Sequence, residues 1–347
     1  MSTVVEQKMT EAQPSRPFGP VRFVAMVVLL AMSVFATTAV AVVLIPDATD
    51  YVRAGVMKHD RLASLPSPKI VLIGGSNLAY GTDGALLEQE TGCPVVNMGL
   101  NGYLGVRLML AESAPQLHAS DIAVISLEYQ NFYNPSNGDP VSQLMLAKDN
   151  PEIIRYLSWW QRLASLSQLP HVAQEKVLRV MHSVVSPPSD NQEVITIKSI
   201  ESLSGFDKYG GLTSHLGVEW PYAEVDRFDL SAATIVPDVL PLLRSFSEEM
   251  NARGVRVIYS YSPVKRDFFD EHAKAINALH ERLAELPSLV VTSLPETFAY
   301  DNSLFFDSIY HLGAEGRERR SKQLAADIRD AVFQGGDCVA GPLGKQG

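Results

Sequence analysis

A serine at the end of a predicted buried strand is the residue of this 347-residue chain best placed to act as a nucleophile. The apolar run KIVLI begins at Lys69 and is followed directly by Gly74, Gly75 and Ser76. Glycines at a strand end permit a tight turn, and the start of the next helix offers backbone N–H groups that can hold an oxyanion. The alternative interpretation is that Ser76 only caps that helix.

Two further loops carry groups that can bind an oxyanion. The segment NMGLNG ends at Gly102, where the lack of a side chain lets a backbone amide approach a ligand. The segment LEYQNF follows the third predicted strand and offers the amide side chains of Gln130 and Asn131. Glu128 in the same segment would be costly to bury without a partner, so it either faces solvent or belongs to a polar network.

The C-terminal segment FFDSIYHLG places Asp307 and His311 four residues apart in one predicted loop. A carboxylate there can orient an imidazole, which then accepts the proton of a serine hydroxyl. The two side chains would also suit a metal ion, but the sequence offers no evident third ligand, so neither a metal nor a cofactor is predicted. Other histidines, such as His272 and His280 in a predicted helix, are expected at the surface.

The elements that must position these residues alternate between short apolar strands and helices. This alternation predicts an α/β fold, a three-layer α/β/α sandwich with a parallel, flavodoxin-like sheet. In such sheets a ligand binds at the carboxyl ends of the strands. The loops that begin at Gly74, Met98 and Glu128 follow predicted strands, so their functional groups are expected at one edge of the sheet.

These segments resemble the sequence blocks of the SGNH/GDSL hydrolase superfamily, in particular its membrane-anchored, extracytoplasmic branch. VLIGGSN is similar to the first block, with Ser76 in the nucleophile position and Gly75 where many members have aspartate. NMGLNG is similar to the second block, in which Gly102 would supply an oxyanion-hole amide. The third segment departs from the usual G-x-N-D pattern, and the resemblance assigns its oxyanion role to Asn131, with Gln130 as the alternative.

The last segment, FFDSIYHLGAEG, resembles the final block of the branch that includes alginate O-acetylation proteins and the D-alanyl transfer protein of teichoic acid synthesis. There His311 would be the base and Asp307 its partner, although the usual spacing is Asp-x-x-His and here three residues intervene. The resemblance covers residues 68–133 and 237–333. Residues 68–333 are therefore expected to form an SGNH-like catalytic domain, interrupted by an insertion at 134–236.

The resemblance implies serine acyl chemistry through an acyl-serine intermediate. The function it favours is transfer of an acyl group, foremost an acetyl group, to an exported cell-envelope polysaccharide or glycan. The expected partners are a glycan or lipid-linked envelope substrate and a multispanning membrane acyltransferase. Two alternatives stay open: a carbohydrate or lipid esterase or deacetylase of the same fold, and a non-catalytic scaffold in a polysaccharide export or modification complex.

Residues 23–45 are uncharged and apolar, and a transmembrane helix needs roughly 20 such residues. Basic residues precede this segment and acidic residues follow it. That asymmetry predicts a single-pass anchor in the inner membrane, with a cytoplasmic N-terminus and a periplasmic catalytic domain. A cleaved signal peptide is the alternative, because Ala39 and Ala41 have the small-x-small pattern of a cleavage site.

The remaining segments are assigned by composition. Residues 1–22 are predicted to be a cytoplasmic tail, residues 46–67 a polar connector and residues 334–347 a flexible tail. Cys93 and Cys338 would be able to pair in an oxidising compartment, although the sequence does not establish that they are close. The net charge of −10 argues against nucleic acid as a partner.

The insertion contains one predicted amphipathic helix in the segment PEIIRYLSWWQRLASLSQL. Its adjacent Trp159 and Trp160 either line a glycan or acyl groove or pack the insertion against the body, and we expect the packing role. Residues 186–200 are polar and contain two prolines, which favours a loop or lid.

Overall fold

A parallel five-stranded sheet forms the centre of the structure, a computed structural model that describes residues 19–185, 197–220, 228–231 and 234–333. The strands are, in chain order, β1 Ile70–Gly74, β2 Val95–Asn97, β3 Ile122–Ser126, β4 Arg256–Tyr259, β5 Val264–Lys265, β6 Val290–Val291 and β7 Ala299–Tyr300. The order across the main sheet is β2-β1-β3-β4-β6, and β5 pairs with β7 in a separate parallel ladder.

Helices cover both faces of this sheet. The α-helices are, in chain order, α1 Pro20–Leu44, α2 Ala54–Ser64, α3 Ser76–Gly81, α4 Gly84–Thr91, α5 Val106–Ser113, α6 Pro140–Asp149, α7 Trp159–Ser167, α8 Leu169–Val185, α9 Ile197–Ile200, α10 Val239–Ala252, α11 Arg266–Ala284 and α12 Ala314–Ile328.

Alternation along the strands creates the three layers. Because successive strand residues point to opposite faces, Val71 and Ile73 of β1 join the core formed with α5, α10 and α11. Ile70 and Leu72 join the core on the other face, with α4 and α12. The predicted three-layer α/β/α sandwich with a parallel, flavodoxin-like sheet is confirmed.

An apolar helix precedes this sandwich. α1 has 25 residues and is long and apolar enough to cross a membrane. A helix of this length spans about 37 Å, more than the roughly 30 Å of bilayer hydrocarbon. Among the described residues, the contacts of α1 with the body of the protein lie in its last two turns, where Val42 is buried. These properties are compatible with the predicted single-pass anchor and equally with a signal sequence.

The segment expected to be a polar connector is part of the fold. It forms a single 3-10 turn at Tyr51–Arg53 and then α2. Tyr51, Lys58 and Leu62 in this segment are all buried. A polar composition suggests an exposed segment. Here the charged Lys58 side chain is buried, because backbone carbonyls accept its hydrogen bonds.

The amphipathic helix predicted in the insertion is interrupted. A 3-10 turn covers Pro151–Arg155, and a capping box between Ser158 and Gln161 starts a new helix, α7. Trp159 and Trp160 stack on each other, with ring centroids 3.5 Å apart, and are 57% and 65% exposed. The expectation that the pair packs the insertion against the body is therefore wrong.

Several predictions fall on residues outside the described ranges. They are the N-terminal tail through residue 18, the greater part of the predicted loop or lid at 186–200, and the C-terminal tail from residue 334. Cys93 is buried and disulfide-bonded, whereas Cys338 lies outside the described residues.

Candidate active site

Ser76, His311 and Asp307 form a continuous hydrogen-bonded chain. Ser76 is the first residue of α3, and the cap position belongs to Gly75, so the serine does not merely cap the helix. His311 Nε2 lies 2.9 Å from Ser76 Oγ, and His311 Nδ1 lies 2.6 Å from Asp307 Oδ1. When Nδ1–H donates to Asp307, Nε2 accepts from the serine hydroxyl, which is the arrangement that a general base requires.

A tight loop brings Asp307 and His311 together despite their unusual spacing. The N–H of Phe306 donates to the carbonyl of His311 at 2.7 Å, which closes the loop across the two residues. Within it, Ser308 Oγ accepts from the N–H of His311 at 3.1 Å. These two hydrogen bonds fold the three intervening residues into a tight loop. The Asp307 carboxylate therefore faces the His311 imidazole.

Glu128 lies beside the nucleophile and belongs to a polar network, one of the two predicted settings. It is 1% exposed, and its Oε1 accepts from the N–H of Asn77 at 2.9 Å and lies 3.4 Å from Ser76 Oγ. A Cβ at position 75 would come within 2.3 Å of both carboxylate oxygens. Glu128 thus fills the space that an aspartate at this position would need, which explains why Gly75 stands there.

A buried arginine lies on the other side of Asn77. Arg320 is fully buried, and its guanidinium donates to Asn77 O at 2.6 Å, Asn77 Oδ1 at 2.8 Å and Ser126 Oγ at 2.9 Å. Burial lowers the pKa of Arg320 to about 10, and the charge of Glu128 opposes that shift. The sequence analysis missed Arg320, although it lies four residues before Leu324 on the buried face of α12.

The ring of Tyr80 stacks on the imidazole of His311, with centroids 3.8 Å apart and planes 4° from parallel. Its hydroxyl donates to Glu201 Oε1 at 3.2 Å. This stack holds the plane of the imidazole, and the electron-rich ring face favours the imidazolium that forms during proton transfer. The sequence analysis missed Tyr80, although it lies one helical turn after Ser76.

His215 supports this stack from the insertion. Its ring lies 4.7 Å from that of Tyr80, and its Nε2 lies 3.0 Å from the carbonyl of Leu312. Burial lowers the pKa of His215 to about 3, so the ring is neutral and donates to this carbonyl. His215 and His272 are 1% and 4% exposed, so the expectation that the other histidines lie at the surface is wrong for these two.

The structure separates the two amides considered for the oxyanion. Gln130 lines the cavity that contains Ser76, Gly102 and His311. Asn131 lines a neighbouring cavity, and its Nδ2 donates to the carbonyl of Gly102 at 2.8 Å. Asn131 therefore positions the backbone of Gly102, while Gln130 lies next to the nucleophile. Asn131 as the oxyanion residue, with Gln130 as the alternative, stays a prediction.

Lys58 of α2 holds the loop that leads to Gly102. Its Nζ donates to the carbonyls of Asn97 at 3.0 Å, Gly99 at 2.7 Å and Gly210. It is 1% exposed, and burial lowers the pKa of its ammonium group to about 7. The segment predicted to be a connector therefore supports the loop before Gly102 directly.

Two cavities meet at these groups. One of about 240 Å³ contains Ser76 and His311, and a second of about 340 Å³ shares Gly102, Tyr103 and Gln130 with it. Two adjoining cavities that share these three residues have room for two ligands, one on each side. In the ranges that the structure describes, no cluster of three His, Cys, Asp or Glu side chains is arranged to hold a metal ion.

No protein-family model and no curated protein matches the chain. Among solved structures, it is similar to an acetyl xylan esterase (Est2A) from the rumen bacterium Butyrivibrio proteoclasticus, with 11% sequence identity and a TM-score of 0.31. The similarity covers 78% of this chain and 65% of the esterase, so the chain spans less than two thirds of that protein. A likeness at this level does not establish a shared fold or activity.

Proposed function

We propose that this chain is a membrane-anchored serine enzyme that transfers an acyl group, foremost acetyl, to an exported cell-envelope glycan. The observation that carries the proposal is the chain of contacts from Ser76 Oγ through His311 to Asp307, at 2.9 Å and 2.6 Å, inside a cavity. A non-catalytic scaffold would have no need for this geometry. In the proposal α1 is the anchor, and the body lies on the periplasmic side.

The reaction proceeds in two balanced steps. Ser76 Oγ bonds to the carbonyl carbon of an ester donor while His311 Nε2 takes the hydroxyl proton. The bond between the carbonyl carbon and the donor oxygen then breaks, and His311 returns the proton to that oxygen. In the second step an acceptor hydroxyl attacks the acyl-Ser76 ester, and its proton passes through His311 to Ser76 Oγ.

The surrounding groups stabilise the charges that develop. The carboxylate of Asp307 stabilises the imidazolium of His311, and the Tyr80 ring supports it from one face. Gly102 and Gln130 line the same cavity as Ser76, which supports the Gly102 amide and the Gln130 side chain as donors to the oxyanion. Transfer is favoured over simple hydrolysis by the second cavity, which shares these oxyanion groups and has room for an acceptor. An esterase or deacetylase, with water as acceptor, is the second candidate.

The test uses the full-length protein in detergent with p-nitrophenyl acetate as donor and xylohexaose as a model acceptor. We expect release of p-nitrophenol, acetylated oligosaccharide in the mass spectrum, and loss of both in Ser76→Ala. Ser64→Ala, at an exposed serine of α2, is the matched control and retains activity. Free acetate without acetylated sugar would favour the esterase, and activity retained in Ser76→Ala would overturn the proposal.

A further inference from the structure

The insertion exposes an apolar surface that the described residues of the chain do not cover. It is formed by side chains of α7 and α8, which we call the α7–α8 platform. Its most prominent members, each more than half exposed, are Trp159, Trp160, Leu163, Leu178, Met181 and Val184. Large apolar side chains exposed in this number on two consecutive helices are unusual for a folded protein, and they mark a place of contact with another partner or with a membrane.

The platform continues from the end of the apolar helix. Leu169, Val172 and Ala173 on the buried face of α8 pack against Val42 in the last turn of α1, with Ala39 beside them. The C-terminal turns of a transmembrane helix lie where the hydrocarbon meets the headgroups. The part of α8 that packs against those turns therefore lies at the same depth, close to the headgroups if α1 spans the membrane.

A built polar junction fixes α8 in this place. Lys176 is 2% exposed, and its Nζ donates to the carbonyls of Val42 at 2.6 Å and Ile45 at 2.8 Å, at the end of α1. Terminal carbonyls lack partners within a helix, so this lysine acts as a cap. Its Nζ also lies 2.5 Å from Asp47, which pairs with Lys148 at 2.6 Å as well.

The carboxylate of Asp47 in this junction is held in its ionised form. Burial alone would raise the pKa of Asp47, but hydrogen bonds from Lys148 and Lys176 outweigh it and lower that pKa below its usual value. Cleavage after Ala41 would remove Ala39 and Ala41 from this contact and leave Val42 at a free N-terminus, so the packing is consistent with a retained helix.

We propose that the α7–α8 platform lies in the membrane–water interface beside α1 and contacts lipid. The inference rests on the proposed function, because it takes α1 as the anchor. Its chemistry fits the interface: the paired rings of Trp159 and Trp160 suit the headgroup level, and the aliphatic residues of the same helices suit the acyl-chain boundary. The occupant of the platform is thus the bilayer itself.

This placement brings the active site to the membrane surface. A cavity of about 260 Å³ at the junction is lined by Asp47, Lys176 and residues of α6. It shares Thr49, Val52 and Asn101 with the cavity that contains Ser76. A path along the protein surface therefore leads from the lipid side to the nucleophile. An amphiphilic ester held at the bilayer is the class of donor that this path suits.

The test exploits the fact that the chain has three tryptophans, Trp159, Trp160 and Trp220. The full-length protein is reconstituted in phosphatidylcholine vesicles with or without bromine on the acyl chains. In Trp220→Phe only the platform pair emits, and we expect brominated lipid to remove about half of the emission or more. In Trp159→Phe/Trp160→Phe only Trp220 emits, and no loss is expected, since it packs against Phe306.

The two proposals fail in different ways. Extraction of the protein from vesicles by alkaline carbonate would show that α1 is not an anchor, which overturns that part of the proposed function. Retention of the protein with equal emission in both lipids would overturn the platform proposal alone, and so would equal quenching of Trp220. If Trp220→Phe does not fold, the quenching of the platform pair follows from subtracting the double variant from the unmodified protein.

Discussion

The active site and the α7–α8 platform use burial in opposite ways. Around Ser76 charged groups are inside the protein, with Glu128 and Arg320 at most 1% exposed and joined through Asn77. On the platform apolar rings face outward, and Trp160 is 65% exposed. Buried charges are costly unless hydrogen bonds compensate them, and here the bonds through Asn77 hold both side chains in fixed positions beside Ser76. In the platform, by contrast, the exposed apolar side chains lack a covering segment among the described residues, and in our proposal the bilayer covers them.

The comparison predicts that the largest losses of activity come from the buried chain of contacts. His311→Ala should lower kcat/KM for p-nitrophenyl acetate by about a thousandfold to ten-thousandfold, because it removes the general base. Asp307→Asn should have a smaller effect in the same direction, since it disturbs the orientation and charge of the imidazole. Combining Ser76→Ala with His311→Ala should cause almost no further loss, because the residues act as a unit.

Steady-state kinetics on the purified full-length variants measures these losses of kcat/KM. An unchanged thermal unfolding midpoint shows that the fold of each variant is intact. If the loss of kcat/KM in the double variant equalled the product of the two single losses, the two residues would act independently, which would contradict the shared mechanism.

The next largest effect should distinguish the two amides. Gln130→Ala should lower kcat by about a hundredfold with little change in KM, because an oxyanion donor acts mainly in the transition state. Asn131→Ala should instead lower the unfolding midpoint together with activity, because it removes the hydrogen bond to the Gly102 carbonyl. The opposite pattern, a large kcat loss in Asn131→Ala at unchanged stability, would restore Asn131 as the oxyanion residue.

A change at the platform junction should affect stability and leave chemistry alone. Lys176→Met removes a buried ammonium that caps α1 and pairs with Asp47, at an expected cost of about 2 kcal/mol in unfolding free energy. Urea unfolding in detergent measures the loss, while kcat for p-nitrophenyl acetate stays near that of the unmodified protein. Arg155→Met, in an exposed ion pair, is the matched control and should have little effect. If Lys176→Met lowered kcat as much as Gln130→Ala, the platform junction and the active site would not be functionally separate.

The effect expected to be smallest at neutral pH concerns His215, which supports the active site, and it grows only on acidification. The pKa of His215 is lowered from 6.5 to about 3 in the folded state. Between these values the unfolded chain binds a proton that the folded protein does not, so stability should fall as pH falls from about 6.5 towards 3, by on the order of 1 kcal/mol per pH unit. His215→Gln keeps a donor for Leu312 and should lose this part of the pH dependence. Equal slopes in urea unfolding of both proteins would contradict it.

The sequence predicts those parts of the architecture that depend on a short run of neighbouring residues. β1 and β3 are short β-branched runs, fully buried, and their alternation with helices led directly to the sandwich. The loops that carry Ser76, Gly102 and His311 followed from glycines and from the spacing of acid and base. Each of these features depends on residues that are close together in the chain.

The parts that depend on distant contacts were not predictable. Lys58 looks like a surface residue of a polar segment, and only the carbonyls of Asn97, Gly99 and Gly210 explain its burial. At position 75 no side chain fits, because Glu128, fifty-three positions later, fills the space that a Cβ would need. The exposure of Trp159 depends on a capping box that restarts the helix, and on the absence of a covering segment among the described residues.

The most direct test of the central claim, that Ser76 is the nucleophile, is labelling of the full-length protein with a fluorophosphonate and mapping of the adduct by mass spectrometry. The reagent reports nucleophilicity without requiring knowledge of the natural substrate. We expect a single adduct on the peptide that contains Ser76, formed much more slowly in His311→Ala. An unlabelled Ser76, or labelling at the same rate without His311, would contradict the account.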